Sequence, residues 1–211
     1  MQNRQGLIIF SRFPAPGSTK TRLIPCLGAK GAARLQQRLS ELVVKRARLL
    51  SRRLELEIMV YYTGAGLAEM IRWLGPDLHY HEQQGRDLGE RMRQAFREAL
   101  DQGMEQVVLI GCDIPGLNEQ ILEKAFAALE RNDTVLGPAM DGGYYLIGIK
   151  RDRAPELLSP LFSGINWSTS RVYLSTVAIL EAHQASFTTL PTLQDIDRPE
   201  DLDTIPKAVR P

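Results

Sequence analysis

The chain has 211 residues, 44% of them hydrophobic and 24% charged, proportions that support a packed core and exclude wholesale disorder. Its 26 Lys and Arg against 25 Asp and Glu give no global reason for a nucleic-acid or anionic-membrane partner, so any anion binding is local. No stretch reaches the roughly 18 apolar residues of a bilayer span, and no charged leader precedes an apolar run, which predicts a cytoplasmic protein without membrane insertion.

The length fits one domain over residues 1–211, since no repeat, low-complexity segment or shift in composition marks a boundary. Cys26 and Cys112 form no CxxC pair or zinc cluster, which suits a reducing compartment. His79, His81 and His183 are too scattered for a histidine metal site, and the reading for them is structural.

In chain order, GLIIFS at 6–11 is a short apolar run of the kind buried in a parallel sheet, where both faces are covered. A long loop, RFPAPGSTKTRLIPCLG, follows it. Residues 31–55 then place Leu35, Leu39, Leu42, Val43 and Leu49 or Leu50 at helical spacing, with a basic, solvated opposite side. LEIMVYYT at 56–63 reads as a strand, LAEMIRWLG as a short helix and LHYHEQ as a third strand. LGERMRQAFREALDQG at 88–103 is helical and leads into QVVLIGCD, a buried strand ending in a carboxylate. NEQILEKAFAALERND is the next helix, and TVLGPAMDGGYYLIGI holds two strand-like runs around Asp141, Gly142 and Gly143. Beyond residue 151, RAPELLS predicts a short helix, Ser168 or Thr169 a cap for a helix through Leu180, and SFTTLPTL another strand. These repeated strand and helix units predict a three-layer α/β/α sandwich with a mostly parallel central sheet.

Ligands in such sheets collect beyond the carboxyl ends of the strands, where the polar clusters of this chain fall. In GSTKTRL, Gly17 permits close backbone approach, Lys20 supplies a mobile ammonium and Arg22 a planar fork, a set able to clamp a diphosphate. The sequence is neither a Walker loop nor a GxGxxG fingerprint. In GCDIP, Asp113 stands where a strand-end carboxylate holds Mg²⁺ or Mn²⁺, the alternative being a helix cap. In GPAMDGGYY, Gly142 and Gly143 let the backbone pass close to a ligand and Asp141 faces a hydroxyl or nucleophile; a tight turn is the alternative. In LQDIDRPEDL, Asp195 and Asp197 point to one side of an extended segment, so one can join Asp113 at a metal while the other orients it. GRDLGERM offers Arg86, Asp87, Gly89 and Arg91 at a strand-to-helix junction, where helix amides and arginines receive phosphate; ordinary helical surface pairing of Glu90 with Arg93 or Gln94 is the alternative. Trp167 in GINWST is read either as a wall of the acceptor pocket or as core.

As an ordered set, FSRFPAPGSTKTRL, QQGRDLGERMRQAF, GCDIPGL, GPAMDGGYYLIGI, NWST and LQDIDRPEDL resemble the bacterial DUF2064 family, from about Gly6 to Leu202. The resemblance implies a nucleotide-diphospho-sugar transferase fold of the glycosyltransferase-A type, related to molybdenum-cofactor guanylyltransferase-like nucleotidyltransferases. It also implies a nucleotide site drawing on Ser11, Arg12, Gly17, Lys20, Arg22, the Arg86 to Arg91 segment, Gly142 and Gly143. By the same resemblance Asp113 and Asp197 hold Mg²⁺ or Mn²⁺, and Asp113, Asp141, Lys20 and Arg22 carry the chemistry. The implied activity is metal-dependent transfer from a nucleotide-activated donor to a small-molecule acceptor. Glycosyl transfer from a nucleotide sugar comes first. Nucleotidyl transfer from a nucleoside triphosphate, releasing pyrophosphate, and an inactive nucleotide-binding protein are the alternatives. One departure bears on that order: GCD supplies a single acid where a glycosyltransferase-A DxD has two.

Overall fold

A computed structural model describes residues 4–206 and 209–210. Seven strands form one sheet: β1 (Gln5–Arg12), β2 (Leu56–Thr63), β3 (His79–Glu82), β4 (Gln106–Ile110), β5 (Thr134–Pro138), β6 (Tyr144–Lys150) and β7 (Phe187–Thr189). Their order is β3-β2-β1-β4-β6-β5-β7. β6 runs antiparallel to β4 and β5, and every other pairing is parallel.

The unbroken apolar runs have a direct structural counterpart. In β1, Leu7 and Ile9 face one helical layer while Ile8 faces the other, and all three are fully buried. Such a strand has no solvent side, so hydrophobic alternation would gain nothing. One layer consists of α1 (Ile24–Ser51), α2 (Leu67–Leu74) and α4 (Glu119–Arg131), and the other of α3 (Leu88–Asp101), α5 (Ala154–Phe162) and α6 (Val172–Ala182).

The longest helix is broken near its start by Gly28, at φ 68° and ψ 163°. Its apolar stripe selects Leu50 for the core and leaves Leu49 exposed. A separate cluster joins Leu23, Leu35 and Leu39 to Ile196, Ile205 and Val209, which fastens the C-terminal segment to α1.

One local detail differs from the sequence reading. Neither Ser168 nor Thr169 caps α6. The Thr169 hydroxyl donates to Asn166 O, Ser168 takes a left-handed φ of 63°, and the helix begins after Arg171 without a side-chain cap. His81 lies in β3 stacked on Tyr61, with ring centroids 4.8 Å apart, and burial lowers its pKa. Among the described residues, no helix is long and apolar enough to cross a membrane.

The antiparallel strand sits tightly under α4. A Cβ on Gly148 would lie 2.6 Å from Val135 Cγ1 and 3.0 Å from Leu129 Cδ1. Gly148→Ala should therefore overpack this layer and cost about 1–3 kcal/mol, measured by chemical denaturation. An unchanged midpoint would show that β6 and α4 are less closely packed than described.

Candidate functional site

A cleft of about 510 Å³ opens at the carboxyl ends of β1, β2 and β4, and the β5–β6 turn and the segment between α5 and α6 complete its walls. Because β1 connects outward to β2 on one side and adjoins β4 on the other, this is the crevice that an open α/β sheet leaves for ligands.

Lys20 organises one wall. Its side chain is only 3% exposed, and its ammonium lies 2.8 Å from Asp113 Oδ1 and 3.9 Å from Asp197 Oδ1. It also donates to Ile196 O. A buried ammonium without such partners would carry a desolvation cost of several kcal/mol. The backbone at Lys20 is left-handed, at φ 49° and ψ 43°, a conformation that costs a residue with a Cβ about 1–2 kcal/mol. The side chain is turned inward and held by three oxygens, whereas the sequence reading gave it a mobile ammonium.

The three chain segments meeting at Lys20 are each fixed from behind. Arg46, half-buried on α1, donates to Pro115 O at 2.8 Å and to Leu117 O, which holds the loop carrying Asp113. Ile196 N–H donates to Asp113 O at 3.0 Å, and its side chain is fully buried. In Asp195-Ile196-Asp197 the apolar residue is thus drawn into the core, and both flanking carboxylates line the cleft. The first loop folds on itself through Arg12 Nη1, which donates to Ser18 O at 3.0 Å, and through the Ser18 and Thr19 hydroxyls, which both donate to Ala15 O.

Of the residues singled out in the sequence, Ser11, Arg12, Lys20, Arg91, Asp113, Asp141, Gly143, Asp195, Asp197 and Trp167 line the cleft. Gly17, Arg22, Arg86, Asp87, Gly89 and Gly142 lie outside its lining. Arg22 is exposed and paired with Asp197 Oδ2, so it meets the site through that carboxylate. Arg86 pairs with Glu90 along the helix surface, lowering the Glu90 carboxyl to about 2 through that hydrogen-bonded ion pair. Asp87 caps α3 by accepting from Glu90 N–H at 2.8 Å. The N-terminus of α3 is already supplied with a carboxylate of its own chain.

Gly89 and Gly142 serve packing. A Cβ on Gly89 would fall 2.2 Å from Phe162 O and 2.6 Å from Trp167 Nε1, and one on Gly142 would fall 2.2 Å from Ser170 O. Gly142 O also accepts from Tyr173 N–H at 2.9 Å. These two glycines let the strap of residues 163–171 lie flat against α3 and the β5–β6 turn. Trp167 is thereby held edge-on to Tyr144, with ring centroids 6.5 Å apart and an interplanar angle of 85°.

The sequence reading overlooked Tyr144, Thr63 and Gln83, which also line the cleft. Thr63 ends β2 and Gln83 directly follows β3, so the strand-end rule reaches both. Beneath the cleft, the Ser11 hydroxyl donates to the Ser40 hydroxyl at 3.3 Å, and Gln36 donates to the same oxygen at 3.1 Å. Burial pushes the Cys112 thiol beside them up to about 12, which makes it a poor nucleophile at neutral pH. Asp195 is pushed up by burial first and by Asp141 second.

Among the described residues, no group of three or more His, Cys, Asp or Glu is placed to hold a metal ion. Asp113 and Asp197 nevertheless both face Lys20, which places two carboxylates on the same wall of the cleft. Mg²⁺ is usually held by one or two carboxylates with the remaining positions filled by water and substrate phosphate. The pair fits that requirement.

Gly89→Ala should displace the strap, costing about 1–3 kcal/mol by overpacking, and should change the tryptophan emission as Trp167 is moved. Denaturation and fluorescence spectra on one sample check both. Unchanged stability together with an unchanged spectrum would contradict the packing role of Gly89.

Residues 47–169 match the family described as "Uncharacterized protein conserved in bacteria (DUF2064)". Comparison with curated proteins gives no match. Among solved structures, the chain is similar to a candidate nucleotide-diphospho-sugar transferase from Desulfovibrio desulfuricans G20. The TM-score is 0.84 at 34% identity, with 92% of this chain and 82% of that one covered. It also shares its fold with 4-diphosphocytidyl-2C-methyl-D-erythritol synthase from Anaerococcus prevotii DSM 20548, at TM-score 0.63, 12% identity and 94% coverage of each chain. For 2-C-methyl-D-erythritol 4-phosphate cytidylyltransferase from Thermus thermophilus the TM-score is 0.59 at 14% identity, covering 95% of this chain and 96% of that one. On the match over residues 47–169 and the similarity of fold and sequence to the 34% identical relative, the chain belongs to the DUF2064 family and has the α/β fold of the nucleotide-diphospho-sugar transferases.

Proposed function

We propose that the protein is a divalent-metal-dependent transferase that takes a nucleotide-activated donor and transfers its glycosyl group to the hydroxyl of a small-molecule acceptor. The observation that carries this reading is the buried Lys20 ammonium flanked by Asp113 and Asp197 at the rim of the cleft. The 34% identical relative, described as a candidate nucleotide-diphospho-sugar transferase, supports the donor class.

A diphosphate entering beside Lys20 competes with Asp113 and Asp197 for the ammonium. Asp113 and Asp197 are then free to hold Mg²⁺ or Mn²⁺, which supplies Lewis-acid stabilisation of the departing diphosphate. Lys20 stays within reach of the oxygens on which negative charge grows, already desolvated, so that its contribution is larger than that of an ammonium in water. Arg12 and Arg91 line the same cleft, and each has a guanidinium nitrogen tied to a backbone carbonyl. Their charge is left for the donor phosphates. Arg22 steadies Asp197 from the solvent side.

On the acceptor side, Asp141 is held by Gly143 N–H, which donates to Oδ1 at 2.8 Å. The acceptor oxygen attacks the anomeric carbon and gives its proton to Asp141. The bond from the anomeric carbon to the donor phosphate oxygen breaks, and the nucleoside diphosphate leaves with the electron pair. Nucleotidyl transfer is the second reading, favoured by Gly111 in GCD, where a glycosyltransferase-A DxD would carry its first acid. In that case an acceptor phosphate oxygen attacks the α-phosphorus of a nucleoside triphosphate and pyrophosphate leaves.

Product analysis separates the two. The protein with Mn²⁺, nucleotide sugars or nucleoside triphosphates, and a cell extract should release nucleoside diphosphate in an acceptor-dependent manner. Acceptor-dependent pyrophosphate would overturn the glycosyl reading. Asp113→Asn, which keeps an oxygen facing the buried Lys20 ammonium, should lower metal-dependent turnover by at least a hundredfold, whereas Asp113→Ala should also lower the denaturation midpoint by taking a partner from Lys20; a folded Asp113→Asn protein with undiminished metal dependence would remove Asp113 from its role.

A further inference from the structure

Resting on the donor reading above, the second half of the cleft carries information about the acceptor. Its walls are Leu88, Met92, Tyr144, Trp167 and Val172, with Asp141 and Asp195 beside them. Leu88 is 43% exposed despite opening α3, an apolar side chain left at the cleft rather than taken into the core. Tyr144 is half-buried at the cleft wall, and burial raises the pKa of its phenol. Its polar contact is Met92 Sδ at 3.8 Å, and a thioether is a weak acceptor. This phenol thus retains nearly all its capacity to bond a ligand hydroxyl.

The charge on this half is negative. Asp141 and Asp195 act on each other electrostatically, and no ion pair to either is found among the described residues. None of the cations lining the cleft is paired with Asp141 or Asp195 among the described residues. Lys20 faces Asp113 and Asp197, Arg12 is tied to the first loop at Ser18, and Arg91 turns back to Gly85 O after β3. Arg171, on the strap, lies outside the cleft lining.

We propose that this half is an acceptor subsite for a neutral ring-bearing alcohol, an unphosphorylated glycoside or aryl alcohol, that rests its ring against Trp167 and offers its hydroxyls to Tyr144 and Asp141. Aromatic walls favour the flat, weakly polar face of a ring. A phosphorylated acceptor would bring its charge against two carboxylates that no cation pairs among the described residues, and like charges so placed discriminate between partners. The subsite therefore selects against the anionic acceptors that nucleotidyl transfer requires.

The sequence holds two tryptophans, Trp73 and Trp167, and Trp73 lies outside the cleft lining. A Trp73→Phe protein leaves Trp167 as the reporter. Titrated with phenyl β-glucoside, its emission should change saturably, while phenyl β-glucoside 6-phosphate should bind at least tenfold more weakly. Adding Asp141→Asn, which keeps an oxygen for Gly143 N–H but removes the charge, should narrow that gap to threefold or less. Equal or tighter binding of the phosphorylated probe, a gap unchanged by Asp141→Asn, or no response to either probe would each overturn the inference. Calorimetry with a nucleoside diphosphate and Mn²⁺ on the same protein keeps the two readings apart. Acceptor discrimination without diphosphate binding supports the subsite and sinks the donor reading, whereas diphosphate binding without discrimination overturns the subsite alone.

Discussion

The burial of one ammonium, that of Lys20, sets the architecture of the site. A charge at 3% exposure has to be met by oxygen, and the fold meets it with groups from two distant parts of the chain, Asp113 after β4 and Ile196 with Asp197 near the C-terminus. The same demand explains the left-handed backbone at Lys20, which directs the side chain inward rather than along the loop. It also explains the docking of the C-terminal segment, since Ile196 donates to Asp113 O, accepts from Lys20 and fills the cluster against α1. Loop, strand end and tail are thereby assembled by one cation and one buried isoleucine.

A second constraint shapes the opposite wall. Gly89 and Gly142 remove the two Cβ atoms that would prevent the strap from lying against α3 and the β5–β6 turn. With the strap in place, Trp167 and Tyr144 stand edge to face, in the same cleft that Lys20, Arg12 and Arg91 line. Under the proposed function, this one lining would receive both the anionic donor and the uncharged acceptor.

Much of this was legible in the sequence, for identifiable reasons. Leu7, Ile8 and Ile9 in an unbroken run mean a strand covered on both faces, and Leu35, Leu39 and Val43 mark the core side of a helix, so layers and strand positions follow from local pattern. Asp113 and Asp197 were recognisable as cleft residues because each ends or follows an apolar segment. What local pattern does not carry is long-range compensation. Lys20 looks like a solvent-seeking cation until the Ile196 carbonyl, 176 positions away, is brought over it. Gly89 and Gly142 read as ligand-facing glycines because a close neighbour of the backbone was expected to be a ligand. In the fold that neighbour is the strap itself. Tyr144 escaped notice because its place at the cleft depends on β6 running antiparallel, which puts the start of that strand at the same end as the termini of its parallel neighbours.

The most direct test of this account is a crystal structure with Mn²⁺ and a nucleoside diphosphate, read by anomalous scattering. The account predicts a manganese peak bridging Asp113, Asp197 and the diphosphate, with Lys20 moved off at least one carboxylate and onto a phosphate oxygen. A nucleotide bound with the Lys20–Asp113 pair intact and manganese away from both aspartates would contradict it.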